Sequence, residues 1–199
     1  MKSKILAIFA TLYITLIHTS EISIRFSQPH DIPALCALNE NVLDEYFGPT
    51  LITGYPEYFV NNEPLLLQFN DSWNEMFKTL LNEGINNLDN HHILVASHNE
   101  DPNNIIGLCA FTKENDSIYL QYLIVSEKSR GQGTGKKLLD NALSMYPDVR
   151  TCWLETIANA NEKTHAFYER YGFTTTKELY TLVEYVPNTH IIYTLNINK

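Results

Sequence analysis

Apolar and polar residues change rhythm several times after Ile22, and each change marks an element. The run ISIRFS alternates like an edge strand. PHDIPALCALNENVLDEYF then sets Ile32, Leu35, Leu38 and Val42 on one side of a helix, with Asp31 as its N-cap and Pro33 in its first turn. A segment punctuated by Pro and Gly, GPTLITGYPEYFVNNEP, reads as a loop whose tyrosines either wall a pocket or lie half-buried on the surface. Ser72 and Glu75 have the spacing of a capping box, and Trp73, Met76, Phe77, Leu80 and Leu81 repeat after it as a core stripe that ends at Gly84.

Three strand-like runs follow, HILVAS, IIGLCAFT and SIYLQYLIV, joined by the turn-rich segments HNEDPNN and KENDS, so an antiparallel meander is expected. The remainder reads as a helix GKKLLDNALSMY, a strand TCWLETI, a helix NEKTHAFYERY and two strands, TTTKELYTLV and HIIYTLNI. Strands dominate the front and a β-α-β-α-β order the back, which makes this a mixed α/β chain.

Composition narrows the function classes. With 14 Lys+Arg against 23 Asp+Glu among 199 residues, the formal charge is -9, which argues against sequence-independent binding to nucleic acid. A 44% apolar content excludes a disordered chain. Cys36, Cys109 and Cys152 are widely spaced among apolar residues and read as reduced core thiols. His91, His92 and His98 flank a predicted edge strand without a ligand-like set, so no metal is expected. The first residues pull another way: Lys2 and Lys4 precede a largely apolar run from Ile5 to Ile17. Residues 1–21 are therefore a leader, an anchor or a start-site artefact, and the domain spans 22–199.

Candidate chemistry sits in VSEKSRGQGTGKKLLD, where glycines at every second position separate a strand from a helix. Such turns cradle phosphates, because glycine lets backbone N–H groups approach an anion and the helix start adds partial positive charge. A Walker-type loop fails here, since Arg130 stands where its first Gly belongs and Lys137 where its hydroxyl belongs. A dinucleotide turn fails as well, with Lys136 in the third Gly position. What remains is Arg130-x-x-Gly133-x-Gly135.

That turn, together with NEKTHAFYERYGF downstream, resembles the GNAT-type N-acetyltransferases; Asn161, Phe167, Tyr168, Gly172 and Phe173 fall on the family's marked positions, and the likeness runs from Ile22 to about Leu195. The resemblance implies a mostly antiparallel sheet, splayed at an acetyl-CoA site and flanked by about four helices. It implies direct transfer of an acetyl or short acyl group from the CoA thioester to a primary amine. Arg130, Gly131, Gln132, Gly133, Thr134, Gly135 and Lys136 would hold the pyrophosphate, the backbone of Leu123, Ile124 and Val125 the pantetheine arm, and Asn161 and Tyr168 the remainder. Tyr168 would be the acid that meets the departing sulfur and Glu155 the base, with Asn159 the alternative counterpart of Asn161. His165 is expected on an exposed helix face.

No motif encodes the acceptor. Glu40, Asp44, Glu57 and Glu63 fit a cationic amine, small or peptidic, and serve solubility equally well. The rival reading is a non-catalytic acyl-CoA-binding module of the same fold. A cytoplasmic protein is expected, with a secreted or anchored one following only from a working leader; a homodimer stays open.

Overall fold

A computed structural model describes residues 21–42, 63–86, 90–158, 162–183 and 186–197. The strands are β1 (Ile22–Phe26), β2 (His91–His98), β3 (Asp101–Glu114), β4 (Ser117–Val125), β5 (Thr151–Ile157), β6 (Thr174–Val183) and β7 (Val186–Asn196). The helices are α1 (Ile32–Val42), α2 (Glu63–Asn86), α3 (Thr134–Ser144) and α4 (Glu162–Tyr171). One sheet takes all seven strands in the order β1-β2-β3-β4-β5-β7-β6. Every neighbouring pair is antiparallel except β4 and β5. The expected mixed α/β class, the meander β2-β3-β4 and the β-α-β-α-β order behind it are all present.

Each face of the sheet has its own core. Leu35 and Leu38 of α1 and Phe77 and Leu81 of α2 pack on Ile93, Val95, Leu108, Ala110 and Ile124. On the other face Leu138, Leu139 and Ala142 of α3 and Tyr168 of α4 pack on Leu94, Cys109, Phe111, Ile118, Leu120, Cys152, Leu154 and Tyr193. Alternating strands sandwiched by helices have this two-sided burial because successive side chains point to opposite faces.

Several sequence expectations change. Ser72 does not start a helix, since α2 already begins at Glu63, with Pro64 in its first turn where a missing N–H costs nothing. Glu75 pairs with Lys78 at 2.8 Å instead of closing a capping box. Of the expected stripe, Phe77 and Leu81 are buried, but Met76 is 49% exposed. Asp31 does stand directly before α1, yet its carboxylate turns back to accept the Gln28 N–H at 2.7 Å and the Arg25 guanidinium at 2.7 and 2.9 Å. β2 is an inner strand, not an edge, so His92 is buried against Phe26, Phe111 and the Tyr146 ring, whose hydroxyl it contacts.

The Arg25 and Asp31 pair ties β1 to the start of α1, and the carboxylate lies buried. Hydrogen bonding to Arg25 holds its pKa below the ordinary carboxylate range, so the stabilisation is present above the unfolded value and disappears as pH falls through the lowered folded one. Asp31→Asn should therefore cost roughly 2 kcal/mol near neutral pH. In urea unfolding as a function of pH, the gap between variant and parent should close on the acid side.

Candidate active site

Strands β4 and β5 pair only from Ser117 with Thr151 to Leu120 with Leu154. Beyond that point β4 continues to Val125 along β3, while β5 continues to Ile157 along β7. The two strands therefore splay, and among the described residues no strand lies beside the β5-facing edge of β4 from Gln121 onward. A bulge marks the place: Ala110 pairs with Tyr122 and Phe111 with Leu120, which leaves Gln121 as the extra residue. The insertion shifts the alternation by one. Ile118 and Leu120 before it, and Leu123 and Val125 after it, consequently all face the α3 and α4 layer, while Ile124 joins the opposite core.

The glycine turn lies where β4 runs out. Arg130 Nε donates to the Val125 carbonyl at 2.9 Å, and the Thr134 hydroxyl, itself buried, donates to the Ser129 carbonyl at 3.2 Å. Both bonds fold the loop back under the start of α3. Gly131 and Gly133 have φ of 74° and 83°, the left-handed region that other residues enter at a cost. A Cβ at either would meet nothing within 4 Å, so their open side is free for a ligand. Among the described residues no hydrogen bond is made by the N–H groups of Gly131, Gln132 and Gly133. These donors lie directly before the head of α3, whose dipole adds partial positive charge at the same place. Gly135 serves packing: a Cβ there would lie 3.4 Å from the Phe167 ring. Gly107 on β3, which sequence reasoning passed over, would place a Cβ 2.9 Å from the Ile124 carbonyl.

Side chains around the turn divide in role. Gln132 donates to the Lys128 carbonyl at 2.8 Å. Lys136 reaches Asp140 at 2.7 Å and lies 5.6 Å from the centre of the Tyr171 ring, whose hydroxyl donates to the same Asp140 at 2.6 Å. The Lys136 ammonium is thus turned along α3, and its backbone, not its side chain, belongs to the turn.

Tyr168 is only 8% exposed and packs among Phe167, Phe173 and Tyr193. Burial raises its phenol well above the usual value, with the Cys109 and Cys152 thiols adding to the rise. Those two cysteines lie on the strands either side of β4, where they pair with Leu123 and Ile118. Among the described residues the Tyr168 hydroxyl has no hydrogen-bond partner. The same burial pushes the Cys152 thiol up to about 12 and Cys109 higher still. As expected, the cysteines are free thiols, and they are poor nucleophiles.

Glu155 is the first residue of β5 past the paired stretch, and strand alternation puts it on the face opposite Tyr168. There it lies beside Trp153, which stacks on Tyr119 with ring centres 4.1 Å apart. Burial and the Glu155 carboxylate together raise the Tyr119 phenol. His190 of β7 pairs with Ile157 and donates from Nδ1 to Glu155 Oε1 at 2.5 Å. Nothing in the sequence signalled His190, because only the β5-β7 register brings it there. His165 is part-buried rather than exposed. Its Nε2 donates to the Ala158 carbonyl at 3.2 Å, which leaves Nδ1 to accept the Tyr193 hydroxyl at 3.0 Å. Ala158 also donates its N–H to Thr189 at 2.7 Å, so the end of β5 is held to both β7 and α4. Asn159, Asn161, Asp44 and Glu57 lie outside the described residues, and Glu63 opens α2 instead of lying in a loop.

Residues 57–173 match the Acetyltransferase (GNAT) family. No curated protein sequence matches the chain. Among solved structures, the chain is similar to the PaiA N-acetyltransferase of Thermoplasma acidophilum in complex with coenzyme A, at 17% identity and a TM-score of 0.62, over 89% of this chain and 99% of that one. It is similar as well to the ribosomal-protein-S18-alanine N-acetyltransferase of Escherichia coli, at 17% identity and a TM-score of 0.58, over 90% and 96%. Arabidopsis thaliana NAA60 in complex with a bisubstrate analogue gives 17% identity and a TM-score of 0.60, over 89% and 99%. These structures share the fold, while the family match covers more than half of the sequence and takes in the meander, the glycine turn and α4: the chain belongs to the GNAT family of acetyltransferases.

Proposed function

We propose that the protein moves an acetyl or other short acyl group from a coenzyme A thioester to a primary amine by direct attack in a ternary complex. The observation that carries this reading is the open turn at Gly131 and Gly133, set at the end of a β4 edge that has no strand partner among the described residues. The cradle suits a pyrophosphate, and the free edge of Leu123, Ile124 and Val125 suits the amide-bearing pantetheine arm, which can pair with it as an added strand would. Coenzyme A supplies an acyl carbon activated by sulfur.

The chain's own groups divide the proton work between the two faces of the splay. Glu155, part-exposed, takes the proton that an incoming ammonium must lose. Tyr168, protonated throughout the neutral range because burial raises its pKa, donates its O–H towards negative charge developing on the departing sulfur. A covalent acyl-cysteine is disfavoured, since burial raises the pKa of Cys36 as well as of Cys109 and Cys152.

Acetyl-CoA binding measured by calorimetry, paired with CoA release over polyamines, aminoglycosides, free amino acids and peptide N-termini, tests the whole reading. Release with at least one acceptor is expected. Binding without turnover on any of them would instead make the protein a non-catalytic acyl-CoA module.

Gly133→Val should weaken acetyl-CoA binding by at least about tenfold while unfolding remains cooperative, since the side chain would enter the open cradle and strain the left-handed turn by about 1–2 kcal/mol. Undiminished affinity in a folded variant would put the pyrophosphate elsewhere. Tyr168→Phe removes a hydroxyl without a described partner, so the melting temperature should hold or rise while turnover falls by about 10²-fold. Acetyl-CoA affinity should change less than turnover, because the lost interaction belongs to the transition state.

A further inference from the structure

Glu155 has two carboxylate oxygens in different situations. Oε1 accepts the Nδ1–H of His190 at 2.5 Å, while Oε2 has no hydrogen-bond partner among the described residues. His190 Nε2 is sealed from solvent and also lacks a partner. A proton on Nε2 would be a buried donor without an acceptor, the costlier way to leave a nitrogen unmatched, so the neutral ring carries its proton on Nδ1. With Nδ1 committed to Glu155 and Nε2 enclosed, the imidazole cannot itself reach an incoming amine.

We propose that His190 is a positioning residue that holds the Glu155 carboxylate in one orientation where β5 leaves β4, leaving Oε2 as the oxygen that accepts the acceptor's proton; this rests on the reading of Glu155 as the base. In that step an N–H bond of the ammonium breaks, the proton passes to Oε2 and the electron pair stays on nitrogen. That pair then forms the bond to the acyl carbon, the C–S pair departs on sulfur and takes up the Tyr168 proton, and the second N–H proton of the adduct is lost to solvent, from which the phenol is reprotonated. Oε1 accepts the same Nδ1–H whether Oε2 carries a proton or not, so the carboxyl keeps one orientation through the cycle. His190 can do this because β5 follows β7 past Leu154: Ile157 pairs with His190 and Glu155 with Ile192, which puts both side chains on one face of adjoining strands.

The test has two arms. In isotope-labelled full chain, two-bond proton-nitrogen spectra should show a protonated Nδ1 and a bare Nε2 on His190, with the Nδ1 signal moving in Glu155→Gln; the reverse tautomer overturns the proposal. The kinetic arm follows acetyl transfer to spermidine, a strongly basic amine, and to glycinamide, a weakly basic one. His190→Phe keeps a ring without the donor, and His190→Asn keeps an N–H near the Nδ1 position. With spermidine, kcat should fall by about tenfold or more in the Phe variant and be largely restored in the Asn variant, with KM for acetyl-CoA unchanged. Glycinamide should show a smaller loss, because more of it is already neutral. If the Phe variant does not fold, His190→Gln, whose amide reaches the Nε2 position but not Nδ1, takes its place with the same expectation. Full turnover in His190→Phe alongside a loss in Glu155→Gln overturns the positioning role and leaves Glu155 as base. Full turnover in Glu155→Gln overturns the reading beneath it.

Discussion

The parting of β4 from β5 after Leu120 and Leu154 is the constraint on which the rest of the molecule depends. Two parallel neighbours would ordinarily satisfy each other's backbone, and an unpaired edge inside a protein has to find other partners or water. Here the separation is enforced from both sides. β4 stays with β3 through the Gln121 bulge, and Gly107 lets the backbones approach to a distance that any side chain would forbid. β5 stays with β7 as far as His190. The opening is therefore a property of strand pairing and needs no movable flap to create it.

A consequence of placing the gap in the middle of a sheet is that its two rims see different surroundings. On the α3 and α4 side, Tyr168 stands among aromatic rings and protonated thiols, a setting that keeps hydroxyl and sulfhydryl groups neutral. On the other side, Glu155 is part-exposed near stacked Tyr119 and Trp153 and in contact with His190. One layer of backbone thus separates the phenol from the carboxylate, and under the proposed mechanism it is position relative to the sheet that would divide the two proton transfers between them.

Much of this was legible in the sequence, and what was not has a physical pattern. The glycine turn could be read because its conformation demands particular residues: Gly131 and Gly133 do adopt positive φ. The meander could be read because hairpins join neighbours in sequence. Misreadings arose where a local signal was genuine but outranked. Ser72 and Glu75 have capping-box spacing, yet packing of Phe77 and Leu81 within a longer helix decides the element, and Pro64 marks its start. Asp31 stands just before α1 as a cap would, but Arg25 from β1 and the Gln28 N–H claim its carboxylate. His190 and the Gln121 bulge left no local trace, since each depends on which residue of a distant strand lies opposite. The burial of His165 escapes the sequence for a related reason: its partners Tyr193 and Ala158 come from β7 and the end of β5.

That last contact has a mechanical meaning. His165 lies one helical turn before Tyr168 on α4 and grips the carbonyl that closes β5, three residues beyond Glu155. The helix bearing the phenol and the strand bearing the carboxylate are thus joined by a side chain as well as by the chain between them. The Ala158 N–H is held in turn by Thr189 of β7, so a single peptide beyond β5 joins the helix that carries Tyr168 to both strands that carry Glu155 and His190.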